Sequence, residues 1–154
     1  MDLQQYQAQL QSGELQRTYK MLVQYVTTLK RQLPASYQTG NLSLGYLDYT
    51  YVPFFNASLR VRKLRFGLVL NHAQLRLELW LMGQNAAVTT TYYAAFKASK
   101  WHQTDEPQHD YAIVVVPLCT ALDFDHREAM TAQVLQQACT TAAALEQAII
   151  QLES

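Results

Sequence analysis

Between Leu15 and Leu33 the apolar side chains Leu15, Tyr19, Leu22, Val26, Leu29 and Leu33 recur at alternating spacings of four and three. That period lays one apolar stripe along a helix. Ser12 stands where it can cap the helix, Gly13 and Glu14 fall in the first turn, and Pro34 ends it. Residues 2 to 11, with Leu3, Tyr6 and Leu10, predict a shorter helix before the break. Gln4, Gln5, Gln7, Gln9, Gln11 and Gln16 read as a solvated side, because the apolar spacing persists through them. The helical period returns near Asp125-His126-Arg127-Glu128, which has capping-box spacing with Asp in place of Ser or Thr. From there a helix runs to about Leu152 with Met130, Val134, Ala138, Leu145 and Ile149 facing inward.

The middle of the chain changes period. Pro34 to Leu44 is a loop by its Ser, Gly and Asn content. Tyr46 to Val52 is dense in Tyr, Thr and Val and predicts a strand stopped by Pro53. The connector Phe54 to Leu59 leads to strands at Lys63 to Asn71 and Leu75 to Met82. A tight turn at His72-Ala73 would set Leu70 opposite Leu75, Leu68 opposite Leu77, Phe66 opposite Leu79 and Leu64 opposite Leu81, with every apolar residue on one face. The reverse face would then hold Arg65 over Trp80 in a cross-strand cation–π contact. Asn85 can cap a helix running to about Lys100, with Val88, Tyr92 and Phe96 on one side. Trp101 to Asp110 is a polar loop, and Ala112 to Val116 is a continuous apolar run, the pattern of a strand buried on both faces and closed by Pro117.

The predicted order is α-β-β-β-α-β-α. An antiparallel three-strand meander and a fourth buried strand are packed by long N- and C-terminal helices, an α+β fold in a single domain over residues 1–154. The composition agrees: 154 residues, 49% hydrophobic and 16% charged, suit one core and exclude a disordered chain. No apolar run is long enough for a membrane span, and the first residues have neither the basic nor the apolar region of a signal peptide. Two cysteines, Cys119 and Cys139, make no disulfide framework, so the cytosol is the expected compartment.

Net charge is zero, but its distribution is uneven. Residues 1 to 100 hold eleven basic and four acidic residues, an excess of seven positive charges, and residues 101 to 154 hold one basic and eight acidic residues, the same excess reversed. A basic half can attract an acidic partner, but the two halves can also compensate one another within a chain or across a homodimer, and the overall neutrality favours this second reading. Arg60, Arg62, Lys63 and Arg65 lie close together without aromatic residues between them to stack on bases, which argues against nucleic acid.

Recognised chemistry is absent from the pattern. There is no Gly-rich phosphate loop, no Gly-x-Ser-x-Gly and no His-Glu-x-x-His. The four histidines have no ligand spacing, the cysteines have no flanking base, and no cofactor or metal is implied. The loop containing His102, Asp105, Glu106, His109 and Asp110 is acidic but has the character of a hydrated loop. The order of elements resembles the core of the restriction-endonuclease-like fold, which would imply an acid on the second strand and Glu-x-Lys on the third. Here Trp80 stands in the lysine's place, and Arg65 and Asn71 stand where an Asp is wanted. A metal-dependent, nuclease-like hydrolase using Asp48 and Glu78 is therefore the alternative reading, not the first.

The first reading is a non-catalytic binding or interaction protein that self-associates. Its candidate site is the polar face formed by Asp48, Arg65, Arg76, Glu78 and Trp80, where a carboxylate between arginines would orient an anionic small molecule. A partly exposed ion-pair ladder, with Tyr46 and Trp80 packed around it, is the structural explanation of the same residues.

The segments Gly45-Tyr46-Leu47-Asp48-Tyr49-Thr50-Tyr51, Arg62 to Leu70 and Leu75 to Leu81 resemble a bacterial family known only as a domain of unknown function. The similarity extends back to Ser12-Gly13-Glu14-Leu15-Gln16 and forward to Tyr92-Tyr93 and Trp101, covering most of residues 10 to 101. The resemblance implies membership of an uncharacterised family and carries over no activity, cofactor or catalytic residue.

Overall fold

The structure, a computed structural model, describes residues 2–102 and 110–153. Two helices, α1 (Leu3–Ser12) and α2 (Glu14–Gln32), precede β1 (Gln38–Thr39) and β2 (Tyr49–Phe55). A short helix α3 (Ala57–Val61) leads into β3 (Leu64–Asn71) and β4 (Arg76–Gly83). Helix α4 (Ala86–Phe96), β5 (Ala112–Cys119), a 3-10 turn (Phe124–His126) and α5 (Arg127–Leu152) complete the chain. The five strands form one sheet in the order β1-β2-β3-β4-β5, with every neighbouring pair antiparallel. The architecture is α+β as expected, but with five strands instead of four, an added α3, and the last strand continuing the meander.

Local signals explain the helix ends, with three corrections. Asp2 and Gln5 form the capping box of α1, Oδ1 of Asp2 accepting from the Gln5 N–H at 2.8 Å and Oε1 of Gln5 accepting from the Asp2 N–H at 3.0 Å. Ser12 is the last residue of α1, and the break falls at Gly13, whose left-handed φ of 76° closes α1 and opens α2. The α5 cap also moves. Asp123, not Asp125, accepts from the backbone N–H groups of Asp125 and His126, because a 3-10 turn precedes the helix. Asn85 caps α4 as expected, accepting from Val88 at 3.0 Å, but the helix stops at Phe96.

Strand β2 runs through Pro53, where the sequence predicts a stop. In an antiparallel strand a residue's N–H and C=O point to the same neighbour. Pro53 O accepts from Gly40 N at 2.9 Å, so the missing N–H faces the short β1 side and leaves the ladder to β3 intact. The β3–β4 register is also corrected, by two residues: Leu70 pairs with Leu77, Leu68 with Leu79, Phe66 with Leu81 and Leu64 with Gly83. The turn spans His72–Leu75 and is wider than expected, because Asn71 Oδ1 accepts from Gln74 N at 3.2 Å and Leu75 adopts φ 50°. An even shift keeps each side chain on its predicted face and changes only what it faces.

Val52, Phe54, Phe66, Leu68, Leu70, Leu77, Leu79 and Leu81 line the covered face and are fully buried. They pack with Leu22, Tyr25, Val26 and Leu29 of α2 and Val134, Ala138, Ala142 and Leu145 of α5 in one cluster. Each such side chain contributes roughly 1.5–3 kcal/mol on burial. The inward positions expected of α5 are all buried. β5 departs from the doubly buried strand expected: Ala112, Ile113 and Val114 are buried, Val115 and Val116 half-buried and Pro117 exposed. It lies at the sheet's edge, where a missing proline N–H is tolerated. No described helix is long and apolar enough to cross a membrane.

Candidate functional site

The reverse face of the sheet carries a second, smaller cluster of Val69, Trp80, Met82 and Ala112, with Tyr49, Tyr51 and Val115 packed against it. Arg76, Glu78 and Trp80 are spaced by two along β4, so all three lie on this side. Glu78 is 1% exposed. Trp80 donates its indole N–H to Glu78 Oε1 at 2.9 Å. Arg76 donates through Nε to Oε2, and Asn71, its cross-strand partner, reaches the same oxygen at 3.5 Å. Tyr49 lies against Trp80 with ring centroids 5.1 Å apart. A carboxylate with a donor on each oxygen and a guanidinium beside it orients its neighbours and leaves little for a metal ion.

The other predicted site residues fall elsewhere. Asp48 is turned into its own loop, where Oδ1 accepts from the N–H groups of Tyr46 at 2.8 Å and Tyr49 at 2.7 Å. These bonds hold its carboxyl below the ordinary carboxylate value. Gly45 at φ 70° makes that loop close, since a Cβ there would lie 2.4 Å from Tyr49 O. Asp48 therefore does not join Glu78 in a paired-carboxylate site. Arg65 faces Met82, not Trp80, which faces Gly67. Six residues separate Arg65 from the position paired with Arg76, about 20 Å along the strand. Its Nε is buried with no hydrogen-bond partner among the described residues.

One cluster escaped the sequence reading. Thr50, fully buried, donates to Leu44 O at 2.9 Å and meets His72 Nε2 at 2.7 Å. Tyr19 donates to the same Leu44 carbonyl at 3.2 Å and packs on the His72 ring at 5.3 Å. Burial pushes the His72 imidazole below its ordinary value, partly opposed by the Asp48 charge. With its proton on Leu44 O, the Thr50 hydroxyl accepts from His72, the reverse of an activated nucleophile. The cluster holds two turns together. Thr50 and His72 are too far apart in sequence for any spacing to reveal it.

Among the described residues no three His, Cys, Asp or Glu side chains gather as metal ligands would. Asp105, Glu106 and His109 of the acidic loop lie outside the described residues. The charge halves meet at Arg62 and Glu153, joined by two hydrogen bonds of 2.6 and 2.9 Å.

Fold and site together define an α+β domain whose antiparallel sheet has one helix-covered face and one aromatic face with a buried Arg-Glu-Trp ladder. The chain belongs to a family described as a domain of unknown function (DUF7000), whose model matches residues 1–149. Comparison with curated proteins and with solved structures finds no match.

Proposed function

We propose that this protein is a non-catalytic binding domain that takes a small oxyanion, a carboxylate or phosphate group, at Arg65 on the reverse sheet face. The observation that carries this reading is the contrast within that face. Glu78 has donors on both oxygens, whereas Arg65 has a buried Nε with no partner among the described residues. A guanidinium stays charged at every relevant pH, and a buried N–H left unmet costs about 1–3 kcal/mol. A carboxylate or phosphate supplies the missing acceptor in the fork geometry that arginine favours. Gly67 and Met82 beside it carry no charge that would compete.

Calorimetric titration and thermal unfolding with inorganic phosphate and with citrate test the reading. Binding stabilises the folded state, by about 2.7 kcal/mol at a hundredfold excess over Kd. Arg65→Met keeps the aliphatic stem and should abolish both the heat and the stabilisation. An unaltered melting temperature of the unsubstituted protein in either anion, or equal stabilisation of Arg65→Met, refutes the site.

A further inference from the structure

Strand β5 ends the sheet, with no strand beyond it among the described residues. In antiparallel pairs each residue's N–H and C=O point to one neighbour, and successive residues alternate, so the outward groups of β5 follow from the strands before it. Pro53 points towards β1, since its carbonyl accepts from Gly40, so the Pro53–Gly67 pair makes no bonds and Gly67 points at β4. Gly67 and Trp80 therefore exchange both bonds, which turns Trp80 away from β5. Val115, opposite Trp80, then points its N–H and C=O away from β4, and Pro117, two residues on without a bulge, points the same way. Ile113 O, also outside the ladder, accepts from His102. Val115 has no such bond, because no described loop or side chain reaches its N–H or C=O.

Beside this stretch a cleft of about 560 Å³ opens between Pro117 and the α5 residues Gln133, Gln136, Gln137, Thr140 and Thr141. Among the described residues no charged side chain lines it, and each amide or hydroxyl there both donates and accepts. An ion would meet no opposite charge in it. A peptide main chain is neutral and presents donors and acceptors in alternation, so it fits both the cleft and the unmet edge. We propose that the outer edge of β5 from Ile113 to Pro117 docks one extended, uncharged segment of a partner polypeptide, added antiparallel as a sixth strand. Val115 exchanges both bonds with one residue of that segment, and Pro117 O accepts from another. Pro117 has no N–H to return, and the glutamine amides of the cleft supply the donor that the segment's carbonyl lacks there. A second copy of β5 fits less well. Across a two-fold axis each copy brings its own Pro117 and its own Ile113 carbonyl already bonded to His102, so every gap in the ladder occurs twice. Arg65 lies two strands away on β3, and the edge site stands independently of the anion reading.

Amide hydrogen exchange of the full chain, followed by NMR, is the test. In the free protein the Val115 N–H should exchange fast, while Val114 and Val116, which bond to β4, are protected. The probe is a capped peptide of the sequence Thr-Val-Thr-Val-Thr-Val-Thr. At a tenfold excess over its Kd it should slow Val115 exchange about tenfold, and the same peptide N-methylated at every amide should not. Gln133→Ala with Gln137→Ala, both exposed, should weaken binding about tenfold and leave the melting temperature unchanged. A Val115 amide already protected in the free protein overturns the inference. So does a probe that gives no protection up to its solubility limit, or protection that survives N-methylation or the two alanine substitutions. Protection of Val115 that grows with protein concentration in the absence of peptide puts a second copy on the edge and overturns it as well.

Discussion

Replacing Glu78 with leucine removes the acceptor shared by Arg76 and Trp80 and leaves the arginine's charge in place. The magnitude follows from burial. The Glu78 side chain is 2% exposed and that of Arg76 14%. Breaking a fully buried pair costs about 3–5 kcal/mol, and the partial exposure of Arg76 puts this case near ~3. Against a total stability of about 5–15 kcal/mol that is a large fraction, and it corresponds to a fall in Tm of roughly 6–12 °C for a chain of this size. The Arg76→Met, Glu78→Leu double substitution should lose less than the single one, because no charge is stranded. The Trp80 N–H loses the same acceptor in both variants, so that loss cancels from the comparison. Urea unfolding of the unsubstituted protein, both single variants and the double variant closes the cycle and gives the coupling. If Glu78→Leu is no worse than the double variant, the pair is not coupled, and the account of the reverse face as an ion-pair ladder fails.

Three further outcomes follow from individual groups. His72 has a folded-state pKa below its ordinary value near 6.5, so the stability it contributes is complete above that value and is lost as pH falls through the folded value. Melting between about pH 7 and about pH 5 should show the loss, and His72→Gln should flatten it. Thr131 donates to Arg127 O at 2.7 Å and accepts from the Tyr25 hydroxyl at 2.9 Å. Tyr25→Phe should therefore cost about 1 kcal/mol, Thr131→Val more because a buried hydroxyl is stranded, and the pair less than the sum in denaturant unfolding. Gly45→Ala should cost about 2 kcal/mol by the same assay, through its left-handed φ and the approach to Tyr49 O.

Periodicity revealed the parts of the fold that bury a stripe or a face. The α2 and α5 stripes and the covered face of the β3–β4 hairpin were legible because mispacing any of them would expose several large side chains at once. Features set by single hydrogen bonds were not legible. β1 has two residues and no period to read. The passage of β2 through Pro53 depends on which neighbour its carbonyl faces, and the register of the hairpin depends on an Asn71 side-chain bond and a left-handed Leu75. Of the five candidate residues, Arg76, Glu78 and Trp80 meet because they share a strand face. Asp48 does not, since two backbone N–H groups three residues apart hold its carboxylate locally.

The register correction bears most on the functional reading. In the expected register Arg65 lies over the Trp80 ring, a partner that would account for its charge. Moved by two residues, it faces Met82 instead, and Met82 Cε fills the space that a Cβ on Gly67 would take. The same face then holds one guanidinium bonded to a carboxylate and one whose buried Nε has no hydrogen-bond partner among the described residues. Counting charged residues on a strand cannot separate the two, because both arginines have the same charge and the same alternation. Unmet valence separates them. Arg76 serves Glu78, and the Nε of Arg65 is the buried donor without a partner among the described residues, the one on which the proposed anion site rests.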